Sequence, residues 1–262
     1  MRWLKGFDRQ ASGAVPEEQM AAADAAVRRH DYETALALWE PLARRGIARA
    51  QSNIGACFAG GLGVPRYAAL AHRWLALSAA AGDPVGQRNL AALHFKGEGV
   101  ALDYGRAAQL YRAAAEQGDG PAQDMLSWML LEGEVIAADP AEAHRWAFAA
   151  AEQGIAAAMT RLGMIYHNAL GVPRDAAEAV RWWRRAAEGG DPDGQAMLGA
   201  AYHLGMGIPR DQRAASLWLR RASAGGSRLA APYLAALTRS LPPGQIAEEE
   251  EHPAPALPEP QP

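Results

Sequence analysis

Cysteine is almost missing from this chain. Cys57 is the only thiol in 262 residues, so no internal disulfide can form. A reducing compartment fits that composition. Lysine is nearly as scarce. Only Lys5 and Lys96 are lysines among 26 basic residues, the rest being arginine, which points to a GC-rich bacterial source. Long apolar runs are missing too. No stretch of 18 apolar residues lies clear of charge, so no transmembrane helix is expected, and Met1–Arg9 carries no apolar core of a secretory signal. The expected location is cytoplasmic. The net charge of −3 gives no global pull toward nucleic acid or a membrane surface. H-E-x-x-H, the P-loop, G-x-S-x-G and C-x-x-C are all absent. No catalytic residue, metal, cofactor or small-molecule substrate is therefore expected.

What the chain does have is a period. Gly46, Gly82, Gly118, Gly154, Gly190 and Gly226 stand 36 residues apart. Other columns keep the same phase: Trp74, Leu110, Trp146, Trp182, Trp218, and Ile54, Leu90, Leu126, Leu162, Leu198. An alanine column runs Ala35, Ala71, Ala107, Ala143, Ala179, Ala215. A fourth reads Asp31, Tyr67, Asp103, Asp139, Asp175, Asp211.

Each unit reads as two helices. In the first, apolar or small residues at 50, 54, 57, 58 and 61 make one helical face. A Gly/Pro loop such as Gly61–Pro65 ends it. The aspartate column then caps the second helix, which Tyr67 should start less cleanly. The alanine column and an Ala-Ala pair let helices approach closely, the tryptophan fills the wider gap, and the 36-spaced glycine stops the helix.

Five units span 48–227. Ahead of them, 17–47 reads as an irregular hairpin with Pro41 inside its second helix, after a flexible lead over 1–16. A capping helix is expected over 228–241. Seven prolines and Glu248–Glu251 fill 242–262, a composition that cannot bury enough apolar surface to order itself. That tail is expected to be disordered.

The columns resemble the Sel-1-like repeat, a relative of the tetratricopeptide repeat. Unit four carries the pattern most fully in Leu162-Gly163, Tyr166, Gly171-Val172, Asp175, Ala179, Trp182, Ala186-Ala187 and Gly190. Unit three departs from it, with Ser127, Leu130 and Val135 in place of Gly, Tyr and Gly. The resemblance implies an all-α fold, an α/α right-handed superhelical solenoid of 36-residue helix-turn-helix repeats. It implies an adaptor that binds proteins, and it carries over no catalytic residue. Some cysteine-rich members are linked to β-lactams, but Ser-x-x-Lys is missing here, with Leu93 three residues before Lys96.

The residues outside the pattern are the candidates for function. On the first helix of each unit, slots 49, 52, 56 and 59 lie opposite the core slots. In units two to four that face holds Phe95, Trp128, Leu131 and Met164, rimmed by Arg88, Asp124, His167 and, in unit five, His203. An apolar stripe there is what a peptide groove needs, although inter-repeat packing gives the same pattern. His167 and His203 share a slot, at a helix spacing that suits a shared partner surface better than a metal. His72 and His144 share another and read as surface residues. Cys57 sits in a core column and reads as packing.

Trp182-Trp183 followed by Arg184-Arg185 resembles an aromatic-basic nucleic-acid site. Trp182 belongs to the core column, leaving Trp183 to explain, and nucleic acid is disfavoured. The leading reading is a protein-binding adaptor. The alternatives are a hydrolase built on the repeat and a basic-face nucleic-acid binder. A further reading docks the acidic tail on Arg181, Arg184, Arg220 and Arg221.

Overall fold

The computed structural model describes residues 16–240. Residues 1–15 of the expected 1–16 lead and the tail over 242–262 lie outside the described residues. Among those described, every regular element is a helix. The chain divides into two compact units, up to Ala138 and from Asp139 onward.

Unit one holds α1 (Pro16–Arg28), α2 (Tyr32–Arg44), α3 (Ala48–Gly60), α4 (Ala68–Ala80), α5 (Pro84–Lys96), α6 (Tyr104–Glu116) and α7 (Gly120–Glu132). Unit two holds α8 (Pro140–Glu152), α9 (Ala156–Asn168), α10 (Ala176–Glu188), α11 (Pro192–Leu204), α12 (Gln212–Ala224) and α13 (Ala230–Ser240). α1 begins at Pro16, one residue before the expected hairpin start. α2 continues through Pro41 to Arg44.

The caps explain the register. Asp103, Asp139, Asp175 and Asp211 each accept from a backbone N–H three residues on, at 2.8–3.0 Å. Asp83, Asp119 and Asp191 do the same for α5, α7 and α11. Tyr67 offers α4 no side-chain cap. Each satisfied cap contributes about 1 kcal/mol.

The alanine column is fully buried at all six positions. Without side chains beyond Cβ there, the second helix of each hairpin lies close against the first. Ile54, Leu126, Leu162 and Leu198 are also wholly buried. Within each unit the first helices of successive hairpins pack on one another, α3 with α5 and α9 with α11. The second helices approach each other less closely. The first helices therefore make the inner layer of each stack.

A second glycine column spaces the repeats. Gly63, Gly99, Gly171 and Gly207 all hold φ between 67° and 75°. A Cβ on Gly99 would lie 2.7 Å from the backbone of Ala68, and one on Gly207 would lie 2.1 Å from the Ala176 carbonyl oxygen. Each loop thus rests on the first turn of the preceding hairpin's second helix, main chain against main chain. In the third repeat this position is Val135, which does not adopt a positive φ. The divide between the two units falls three residues later, in the same loop.

Candidate partner-binding faces

Arg88 and Phe95 stand seven residues apart on α5, and Asp124, Trp128 and Leu131 share one face of α7 by their spacing of four and three. All five are half-buried. The structure brings Phe95 and Trp128 together edge to face, with ring centroids 5.8 Å apart. Tyr104, at the start of α6, also meets Phe95, with ring centroids 5.3 Å apart. This arrangement matches the attractive geometry of aromatic quadrupoles and leaves part of each ring in solvent. The apolar stripe of unit one is therefore packed between repeats and also partly open.

Arg88 has a structural partner. Its guanidinium reaches Asp119 at 2.8 Å, and Asp119 is also the cap of α7. Thr160, in the same slot of unit two, donates to Asp191 at 2.6 Å. In these two repeats the slot links the first helix to the cap of the next one.

In unit two, Met164 packs against the core formed by α10, α11 and α12. His167 lies half-buried beside Trp183, with ring centroids 5.6 Å apart. His203 hydrogen-bonds Gln212 through Nδ1 at 3.0 Å. The two histidines thus take different partners. Ala196 and Ala200, on the same helix face, are wholly buried, as is Ser52 in unit one. A solvated outer face would leave such positions open, so α3 and α11 are covered by neighbours at these slots.

Three sequence-based expectations change. Trp183 is fully buried, and its indole N–H donates to the Thr160 carbonyl at 3.2 Å. It lies in a second buried column, Trp39, Leu75, Tyr111, Ala147, Trp183, Leu219, one residue after the tryptophan column. Gly163 makes room for it, since a Cβ there would fall 2.1 Å from the Trp183 nitrogen. No exposed aromatic is left at the Trp182-Trp183 pair to stack on a base.

His72 and His144 are half-buried and not simple surface residues. His144 shares a 3.1 Å hydrogen bond with Tyr166, and His72 meets the ring of His94 at 6.0 Å. Burial lowers the pKa of both, with the nearby His94 adding to the effect at His72. The largest exposed apolar side chains also lie elsewhere. Tyr67 and Leu102 are 50% and 54% exposed in the loops of unit one, and Phe148 is exposed on α8. Tyr67 was legible as a break in the aspartate column. Leu102 had no such signal.

Cys57 behaves as a core residue. Burial pushes its thiol up to about 11, so it stays protonated near neutral pH and is a poor nucleophile. Among the described residues no three His, Cys, Asp or Glu side chains converge as metal ligands, and no helix is long and apolar enough to cross a membrane.

The Sel1 repeat model matches residues 48–83, 84–119, 120–155, 156–191 and 192–227, tiling the repeats without a gap. The chain belongs to the Sel1 repeat family. A Sel1 repeat protein from Oxalobacter formigenes is similar, with 28% identity, a TM-score of 0.77, and coverage of 88% of this chain and 97% of that one. An immunity protein from Pseudomonas aeruginosa shares the fold at 17% identity, with a TM-score of 0.54 and 95% of each chain covered. No curated protein matches the chain. As a Sel1 repeat chain, it is an all-α solenoid of 36-residue hairpins, a scaffold of a kind that generally binds proteins.

Proposed function

We propose that this Sel1 repeat chain is an adaptor that holds a peptide or domain of a partner protein in a groove formed by the inner helices of one of its two compact units. Phe95, Trp128 and Leu131 are the apolar anchors, and Asp124 and Arg88 form the rim. Met164, His167 and His203 serve the same role on the inner helices of unit two. The observation that carries this reading is the Phe95–Trp128 pair, two aromatic rings in contact on the inner layer and still partly open to solvent. Aromatic anchors of this kind dominate protein interfaces, because they bury large area at low entropy cost. The scaffold works in the cytoplasm and without catalysis.

The test is capture of a partner from the native organism with the intact chain and with Phe95→Ala/Trp128→Ala. The double variant is expected to lose the partner that the parent retains. The variant should still fold, with melting lowered by the lost partial burial of the two rings as well as by the about 0.5–1.5 kcal/mol that an edge-to-face pair contributes beyond it. A variant that no longer folds, or one that captures as the parent does, removes Phe95 and Trp128 from the binding face.

A further inference from the structure

Unit two carries an arginine face that the adaptor reading does not use. α10 and α12 together hold six arginines against two glutamates, Glu178 and Glu188. Two of the arginines repeat a device. The Arg185 guanidinium lies 4.4 Å from the centre of the Trp182 ring, and that of Arg221 lies 5.2 Å from Trp218. Both pairs occupy the same two slots, one repeat apart. The three earlier repeats hold Leu77, Ala113 and Ala149 at the arginine slot. Stacking on a ring limits the rotamers of a long side chain and still leaves guanidinium N–H groups able to donate.

Two ion pairs on this face are weakly held. Arg185 meets Glu152 at 3.3 Å, with both side chains about half exposed, and Arg181 pairs with Glu178 on its own helix. Exposed pairs of this kind contribute little and yield readily to a competing carboxylate.

We propose that this face is occupied by the chain's own acidic segment, Glu248–Glu251, which docks in cis on Arg185 and Arg221. Three features fit. The 22 residues after Ser240 contain five glutamates and no arginine or lysine, so the charges are complementary. Seven residues lie between Ser240 and Glu248, eight Cα–Cα steps with a reach of up to about 28 Å, against a descent of roughly 10 Å along α12 from the end of α13 to Arg221. The run Glu248–Glu251 spans about 10 Å when extended, which matches the roughly 10 Å between helices of adjacent repeats. The tether keeps the segment at an effective concentration near the millimolar range, so a weak contact is populated. The consequence is a self-covered face that only a more acidic competitor uncovers.

The test uses the full chain labelled with nitrogen-15, bearing Ala256→Cys with a nitroxide on that thiol. Cys57 is buried and protonated, so the label goes to position 256. The indole N–H signals of Trp182 and Trp218, beneath the two arginines, are the reporters. Docking broadens both at about 0.05 M salt. The signals recover near 1 M salt, where the screening length is ~3 Å. They also recover when Glu248, Glu249, Glu250 and Glu251 are changed to Gln, and in Arg185→Ala/Arg221→Ala. Sharp signals in the parent, or equal broadening in the Gln variant, overturn the proposal. Broadening that arises only when nitroxide-bearing chains are mixed with labelled, nitroxide-free ones assigns the contact to a second copy, and also overturns docking in cis.

Discussion

At the residue scale, the repeat places the same backbone demand on residues of different type. Gly61, Gly97, Gly133 and Gly205 end the first helices with φ of 66–73°. Ala169 holds that place in the fourth repeat with φ 58°. Glycine accepts the left-handed region without steric cost, whereas an L side chain brings Cβ against the following carbonyl at roughly 1–2 kcal/mol. Ala169→Gly is therefore expected to raise stability by about 0.5–1 kcal/mol net of the entropy that glycine adds to the unfolded chain. Urea unfolding of the two proteins measures it, and a lower midpoint for the variant would show that Ala169 rests without strain.

The same scale shows where the sequence misleads. Trp182 fills a column with period 36, so its neighbour looks unassigned. Adjacent residues on a helix point about 100° apart, and a helix packed on two sides buries both. Trp183 is buried for that reason.

At the scale of elements, twelve helices of thirteen residues each follow from punctuation that can be read directly. Aspartate starts eight of them, whereas α3 and α9 follow an isoleucine with no side-chain cap, and glycine stops most. Gly46, Gly82, Gly118, Gly154, Gly190 and Gly226 all sit at φ of 84–90°, just past the second helices. The fold was legible because these signals recur in phase five times, so that a single substitution does not obscure the column.

The candidate face was legible only in part. Period and phase identify which slots oppose the core, but not how closely the next inner helix approaches. That distance decides that Ala200 is covered and Phe95 half-covered. Tyr67 offers a test of the punctuation itself. It begins α4 with no side-chain acceptor, where Asp103 and Asp139 begin α6 and α8 with one. Tyr67→Asp is expected to stabilise the chain by about 1 kcal/mol, read as a higher melting temperature. An unchanged or lower value would mean that the tyrosine ring contributes as much as a cap.

At the scale of the whole molecule, stability is shared by neighbouring hairpins, and terminal faces need covers. α13 supplies one for unit two, where Leu237 is buried and Tyr233 and Leu234 pack against the core. Each unit also holds one imidazole whose pKa is lowered, His72 and His144. The unfolded chain protonates both near the ordinary value of 6.5, while the folded chain resists until the pH is lower. Their contribution is thus complete above 6.5 and is lost as pH falls from there through the lowered folded values. Melting temperature should drop as the pH is taken below about 6.5. His72→Gln/His144→Gln should drop less over the same interval. Equal slopes for the two proteins would place the acid sensitivity elsewhere. Asp31 and Glu98, whose carboxyls are lowered by Thr34 and Arg66, act only at more acid pH.

The spacing glycines also bear on how such a chain can diverge. At Gly99, Gly171 and Gly207 the loop touches mainly the peptide groups of the preceding helix's first turn. Peptide groups are the same whatever side chains they carry. Side chains in those first turns can therefore drift under mutation while the pitch of the array stays constant. The rim of the stack is then a surface on which new specificity can arise without refolding the scaffold, and Tyr67, in place of an aspartate, is already such a departure.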